Sequence, residues 1–173
     1  MDVQRIVDAI RDVPDFPVEG VVFKDIAPVL GNPVLFKMVV DHFAALHQES
    51  NLQRIAGIEA RGFIFGAALA YEMGIGFVPI RKQGKLPWDT VTASYDLEYG
   101  SATIEIHEDA VFSGDRVLLV DDLLATGGTA AAAADLVEQL GGEVVEIDFL
   151  IELSFLNGRD KLAGRKLHAP IVF

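Results

Sequence analysis

Cysteine is absent from the 173-residue chain, which excludes disulfides, thiolate nucleophiles and cysteine-ligated metals. Positive charge is scarce: 14 Lys and Arg stand against 26 Asp and Glu, a formal net charge of −12. A surface so acidic disfavours nucleic acid and anionic membranes as partners. No apolar run approaches the roughly 20 residues that cross a bilayer. The start, Met1-Asp2-Val3-Gln4-Arg5, lacks the basic and apolar regions of a signal peptide, so a cytoplasmic location is expected. Repeats, linkers and low-complexity tracts are also missing, apart from one alanine run that reads as helix. What remains is a chain that is 51% hydrophobic, large enough for one core and most simply a single domain over residues 1–173.

The stretch Val117-Leu118-Leu119-Val120-Asp121-Asp122-Leu123-Leu124-Ala125-Thr126-Gly127-Gly128-Thr129 organises the rest. Four apolar residues suit a strand buried on both faces. Two carboxylates follow, then a small glycine turn closed by threonines. Ala130–Leu140 reads as a helix on its alanines, and Gly141-Gly142 supplies its stop. In open parallel sheets ligands bind at the carboxyl ends of strands, and a glycine turn opening a helix aims bare N–H groups at an anion. Carboxylates accept hydrogen bonds and repel phosphate, so Asp121 and Asp122 suit hydroxyls or a metal. A sugar phosphate satisfies both halves. The plainer alternative is a solvated acidic pair beside an ordinary turn.

The remaining elements read in order. Apolar positions 3, 6, 7 and 10 predict a helix over Asp2–Arg11, broken by Val13-Pro14-Asp15-Phe16-Pro17. Gly20–Ile26 is a short apolar segment, by local pattern an edge strand with Phe23 in the core. Val34–His47 predicts a second helix. Arg54–Ile58 predicts a strand, and Glu59-Ala60-Arg61-Gly62 turns it into a helix over Phe63–Glu72, where Gly66, Ala67 and Ala68 allow close packing. Ile75–Ile80 predicts the next strand. Arg81, Lys82 and Lys85 follow as a basic cluster, locally a solvated loop but at a strand end a natural diphosphate clamp. Thr92–His107 alternates around Gly100-Ser101 and predicts a two-stranded flap. His107 reads as a surface histidine, and Glu105 as a far-strand residue without a catalytic role. Val144–Leu150 predicts a further strand, and Leu153–Phe173 carries no signal. Strands alternating with helices give an α/β fold: a mainly parallel twisted sheet flanked by helices, with a β-hairpin flap.

The Val-Asp-Asp-Leu-Leu-Ala-Thr-Gly-Gly-Thr run resembles the sugar-diphosphate signature of the type I phosphoribosyltransferases, in the form used by their adenine-specific branch. Matches to that family extend from Phe16 to Gly142. The resemblance implies that Asp121 and Asp122 hold ribose hydroxyls and that Ala125, Thr126, Gly127, Gly128 and Thr129 hold the 5′-phosphate. Arg61, in a Gly-x-x-x-Arg-Gly-Phe pattern, would lie beside the pyrophosphate with Arg81, Lys82 and Lys85. Val22, Phe23 and Lys24 would line the base pocket, with Phe23 stacking on the purine and Leu123 covering its other face. The family usually has arginine where this chain has Lys24. That swap is mild if the residue acts through its main chain, and not conservative if its side chain binds phosphate. Ser-Tyr-x-Leu-Glu-Tyr-Gly resembles the family's flexible catalytic loop, with Tyr95 and Tyr99 in the flap and Glu98 as its acid; without the resemblance Glu98 would be a solvated hairpin residue.

The implied activity is transfer of the phosphoribosyl group from phosphoribosyl pyrophosphate to N9 of adenine, giving AMP and pyrophosphate. Mg²⁺ would be held mainly by the substrate diphosphate, and a homodimer is the family's usual assembly. The alternatives are transfer to hypoxanthine, guanine, xanthine or orotate, or a sensor on the same fold. A sensor would be expected to carry a DNA-binding domain or a basic face, an expectation that a chain this short and acidic does not suit.

Overall fold

The computed structural model describes residues 1–96 and 100–173. Its elements are α1 (Val3–Ala9), β1 (Arg11–Pro14), β2 (Val22–Asp25), α2 (Ala27–Leu30), α3 (Pro33–Leu46), β3 (Arg54–Ile58), α4 (Gly62–Met73), β4 (Gly76–Lys82), β5 (Thr90–Asp96) and β6 (Ser101–His107). They continue with β7 (Arg116–Leu124), α5 (Gly128–Gln139), β8 (Glu143–Glu152), two short 3₁₀ turns at Ser154–Leu156 and Gly158–Leu162, β9 (Leu167–His168) and β10 (Ile171–Val172). The main sheet runs β10-β8-β7-β3-β4-β6-β5, with β9 also on β8. Strands from β10 to β4 pair in parallel. The flap hairpin β5–β6 joins the edge antiparallel, at Arg81↔Glu105 and Lys82↔Ile104.

The apolar run of β7 is buried on both faces, as its composition predicts. Val117 and Leu119 point into a cluster with α5, β6 and Phe149. Leu118 and Val120 point into the other cluster, with α1, α3, α4 and Leu150. Strict alternation on one strand thus divides two half-cores, and all four side chains are fully enclosed. Helix α5 ends where expected, with Gly141 in the left-handed region at φ +90°.

Three departures from the sequence reading have local causes. The first helix stops at Ala9, and Arg11–Pro14 becomes a strand antiparallel to Val22–Asp25. Pro14 is tolerated there because this two-stranded ribbon lies outside the main sheet. Strand β7 continues through the acidic pair to Leu124, because β8 keeps pairing with it to Leu124↔Glu152. The closing segment is not inert. Two short strands add to β8, and the Leu153 N–H donates to the Leu124 carbonyl at 2.9 Å.

Helix α4 approaches the sheet closely through glycines. A Cβ on Gly57 would stand 2.7 Å from the Phe77 ring and 3.0 Å from the Gly62 carbonyl oxygen, and one on Gly66 would stand 2.9 Å from the same ring. The Phe77 ring is therefore wedged between β3 and α4. Gly57→Ala is expected to destabilise the protein by about 1–3 kcal/mol, the usual cost of overpacking, measured by urea denaturation with unchanged m-value.

Candidate active site

The carboxyl ends of β3, β4 and β7 converge on one edge of the sheet, and most of the residues singled out above lie there. Asp122 is 3% exposed. The Nε of Arg61, at the start of α4, sits 3.0 Å from Asp122 Oδ2. That oxygen nevertheless has no hydrogen-bond partner among the described residues, so the N–H is not aimed at it and the contact is one of charge. The Arg61 guanidinium also lies over the Phe23 ring, 5.0 Å from its centroid. Phe23 in turn meets Phe16 edge-on at 5.2 Å. The β1–β2 ribbon, the β3–α4 turn and the end of β7 are thereby joined through a single arginine. The Glu59–Ala60 peptide in that turn is cis.

Asp121 accepts the N–H of Asp122 at 2.8 Å. Burial, and then the charge of Asp122, push its carboxyl well above the ordinary carboxylate range. Asp122 is also raised by burial, against the pull of Arg61. A buried pair of carboxyl groups at a strand end can accept hydrogen bonds from the hydroxyls of a diol. Gly62 makes the placement possible. A Cβ there would stand 2.6 Å from the Val120 carbonyl oxygen and 2.9 Å from Asp121 Oδ1.

Beyond the pair, Ala125, Thr126, Gly127 and Thr129 curve around a concavity of about 80 Å³ that Asp121, Leu123 and Phe149 also line. Gly127 takes φ +79° and caps α5 without a side-chain bond. The first-turn N–H groups of the helix, from Gly128 onward, lack intrahelical acceptors and are available to an anion. The turn is backed by the closing segment. A Cβ on Gly127 would collide with the Gly158 carbonyl, and one on Gly158 with that of Ala125. Gly158 was invisible to sequence reasoning, because nothing local marks a glycine whose partner lies some thirty residues away. Leu123 is half-buried and packs with the α3/α4 cluster.

The basic cluster divides. Arg81 is bound to Glu59 through Nε at 3.1 Å and Nη2 at 3.0 Å, and these bonds hold Glu59 below the usual carboxylate range. Glu59 also accepts the Lys82 N–H at 3.1 Å. The Lys82 and Lys85 side chains are exposed and have no ion-pair partner among the described residues. The exposed cations at this strand end are thus the two lysines, while Arg81 is tied into the scaffold.

Glu105 is not the passive far-strand residue its position suggests. It is 3% exposed and accepts the N–H groups of Lys85 and Leu86, both at 2.8 Å. Burial alone would raise its pKa; the backbone N–H groups of Leu86, Gly84 and Lys85 and the Thr90 hydroxyl outweigh it and hold the carboxylate down. The flap thereby fixes the loop that carries Lys85. His107 also departs from expectation: it is half-buried, with Nε2 enclosed and without a partner among the described residues.

The Lys24 side chain is already engaged. Its ammonium bonds Asp12 at 2.7 Å and lies 3.9 Å from the centroid of the Phe173 ring. Its main chain pairs with Asp12 in the ribbon, beside the exposed Val22. Tyr95 packs half-buried against the α5 cluster. Glu98 and Tyr99 lie outside the described residues.

The phosphoribosyl transferase domain matches residues 30–169. The chain belongs to the phosphoribosyl transferase family. Among the family's members, an adenine phosphoribosyltransferase of Roseiflexus sp. (strain RS-1) is 55% identical over 159 residues, covering 92% of each chain. The crystal structure of adenine phosphoribosyltransferase from Thermoanaerobacter pseudethanolicus superposes with a TM-score of 0.96 at 52% identity, covering 99% of both chains. The Saccharomyces cerevisiae enzyme, solved with adenine and an imino-altritol bisphosphate, superposes at 0.92 with 43% identity, covering 96% of this chain and 97% of that one. The fold of this family member is thus a single α/β domain with a mostly parallel sheet, as its element order predicts.

Gly62→Ala tests how tightly the acidic pair is held. It is expected to push Asp121 off its position and weaken ribose 5-phosphate at least about tenfold, the equivalent of one buried hydrogen bond. Calorimetric titration, with circular dichroism confirming the fold, measures it; unchanged affinity would refute the placement.

Proposed function

We propose that this site transfers the 5-phosphoribosyl group from phosphoribosyl pyrophosphate to N9 of adenine, releasing pyrophosphate and forming AMP in purine salvage. The observation that carries the reading is the joining of a buried acidic pair, a glycine turn and Arg61 at one sheet edge, in a chain more than half identical to adenine phosphoribosyltransferases.

The roles follow from charge. Breaking the C1′–O bond leaves positive charge on the ribose and negative charge on the departing diphosphate. Asp121 and Asp122 bind the ribose hydroxyls and fix the ring. The N–H groups from Ala125 to Thr129 hold the 5′-phosphate. Arg61, Lys82 and Lys85 stabilise the leaving group, and Arg81 keeps the loop in place through Glu59. Phe23 and Leu123 enclose the purine, and main-chain groups of Val22 and Lys24 read its edge. The engagement of the Lys24 side chain with Asp12 and Phe173 supports a main-chain role, under which lysine replaces arginine without loss. Glu98 manages the proton at purine N7 as N9 attacks, while Tyr95 and Tyr99 belong to a flap that excludes water.

The acidic pair, with an unpartnered buried oxygen on Asp122, fits a bound cation as well as a diol. Mg²⁺ carried by the substrate diphosphate would neutralise charge on the leaving group. A cytoplasmic setting follows from substrates whose phosphates cannot cross a membrane unaided, and no helix among the described residues is long and apolar enough to span one. A homodimer would cover exposed apolar side chains such as Ile64 and Tyr71 on α4.

A panel of bases tests the assignment. A pocket reading the adenine amino group through a main-chain carbonyl leaves that carbonyl unpaired against an oxopurine, at about 1–3 kcal/mol per group. Adenine should exceed hypoxanthine and guanine in kcat/KM by roughly a hundredfold; comparable values would favour a 6-oxopurine enzyme. Lys85→Ala tests the leaving-group contact. It should raise KM for the diphosphate substrate about tenfold, the scale of a charge-assisted hydrogen bond, and leave AMP affinity unchanged, because AMP lacks the pyrophosphate. Equal losses for both ligands would move Lys85 elsewhere.

A further inference from the structure

On the α3 side of the sheet, away from the phosphate turn, polar groups gather around the middle of β8. Asp148 is 0% exposed and His47, which caps α3, is 2% exposed. His47 Nε2 lies 2.8 Å from Asp148 Oδ2, and its Nδ1 faces the Ser50 hydroxyl at 3.3 Å. The other oxygen of Asp148, Oδ1, is enclosed and has no hydrogen-bond partner among the described residues. Glu146 lies two residues earlier, on the same face of β8. Ligand atoms of His47, Glu146 and Asp148 all fall within 4.8 Å of one another.

An ordinary buried ion pair is closed, with each charge matched and each lone pair occupied. This one is open in two respects. It carries two carboxylates against one imidazole, so it keeps an excess negative charge even when His47 is protonated. It also leaves a fully buried oxygen without a donor. A divalent cation in place of the shared proton would bring the group to neutrality and occupy that oxygen. We propose that His47, Glu146 and Asp148 form a binding site for a first-row divalent cation, with zinc the best match to one imidazole and two carboxylates.

The half-buried Glu146 leaves an approach from solvent. Ser50 acts as the outer partner that orients the imidazole through Nδ1. The site is separate from any cation carried by the diphosphate. Asp148 stands opposite Val120 in the β7–β8 register, before the acidic pair, and its face of the sheet is that of α3. A bound ion there would staple the end of α3 to the centre of β8 and stabilise the folded state by mass action. The neighbouring His42 and His168, whose Nε2 atoms lie 3.0 Å apart, supply two nitrogens and are the natural competitor.

Zn²⁺ added to protein labelled with ¹⁵N in its imidazoles tests the assignment. One equivalent should shift the Nε2 resonance of a single histidine and raise the melting temperature. His47→Gln should remove that resonance and so identify it. Glu146→Gln alters a half-buried carboxylate and should keep the fold while weakening Zn²⁺ at least tenfold. The proposal fails if Zn²⁺ moves no imidazole, if it moves His42 and His168 in place of His47, or if Glu146→Gln binds as tightly as the parent.

Discussion

Two adjacent carboxylates at the end of a strand buried on both faces are the constraint around which the active edge is built. Burial raises the free energy of both charges, and the response is visible in the neighbouring elements. Gly62 lets the start of α4 come against the Val120 carbonyl and Asp121. That approach delivers Arg61 to Asp122 at 3.0 Å, and Arg61 in turn supports Phe23 on the separate β1–β2 ribbon. A single close backbone contact therefore aligns the acidic pair, a cation and an aromatic ring. The Phe77 ring between Gly57 and Gly66 fixes how near α4 can lie, and so sets the geometry of the whole edge.

Electrostatics at this edge work by division of labour. In a chain of net charge −12, a polyanionic substrate needs cations that are not already neutralised. Arg81 is committed to Glu59, and Glu105 uses its charge on backbone N–H groups instead of lysine ammonium groups. The loop is held by carboxylates while the Lys82 and Lys85 side chains stay exposed. A cluster of basic residues in sequence thus separates into one that anchors and two that can act.

Much of this was legible beforehand. The β3, α4 and α5 boundaries, the flap hairpin and the glycine turn came from periodicity, helix-stop glycines and a strand too apolar for anything but double burial. The acidic pair and Arg61 were placed at strand ends by the topology of parallel sheets. Harder to see were Gly158, Glu59 and Glu105, and the His47–Asp148 pair, because each acquires its meaning from a partner distant in the chain. Arg11–Pro14 was missed because a four-residue strand containing proline has no pattern of its own and exists only through pairing with Val22–Asp25.

By itself the sequence determined most of the main strands and helices, and it pointed to an anion bearing hydroxyls and to the short motif expected to receive it, because these depend on residue type and spacing along the chain. Only the tertiary structure decided which charges are engaged and which are left for a ligand. Arg81 and Lys85 look alike in a string of letters, and so do Glu59 and Glu105. Hydrogen bonds of about 3 Å reach across the sheet without regard to sequence distance, and those bonds turn a loop cation into a scaffold and a hairpin carboxylate into an anchor.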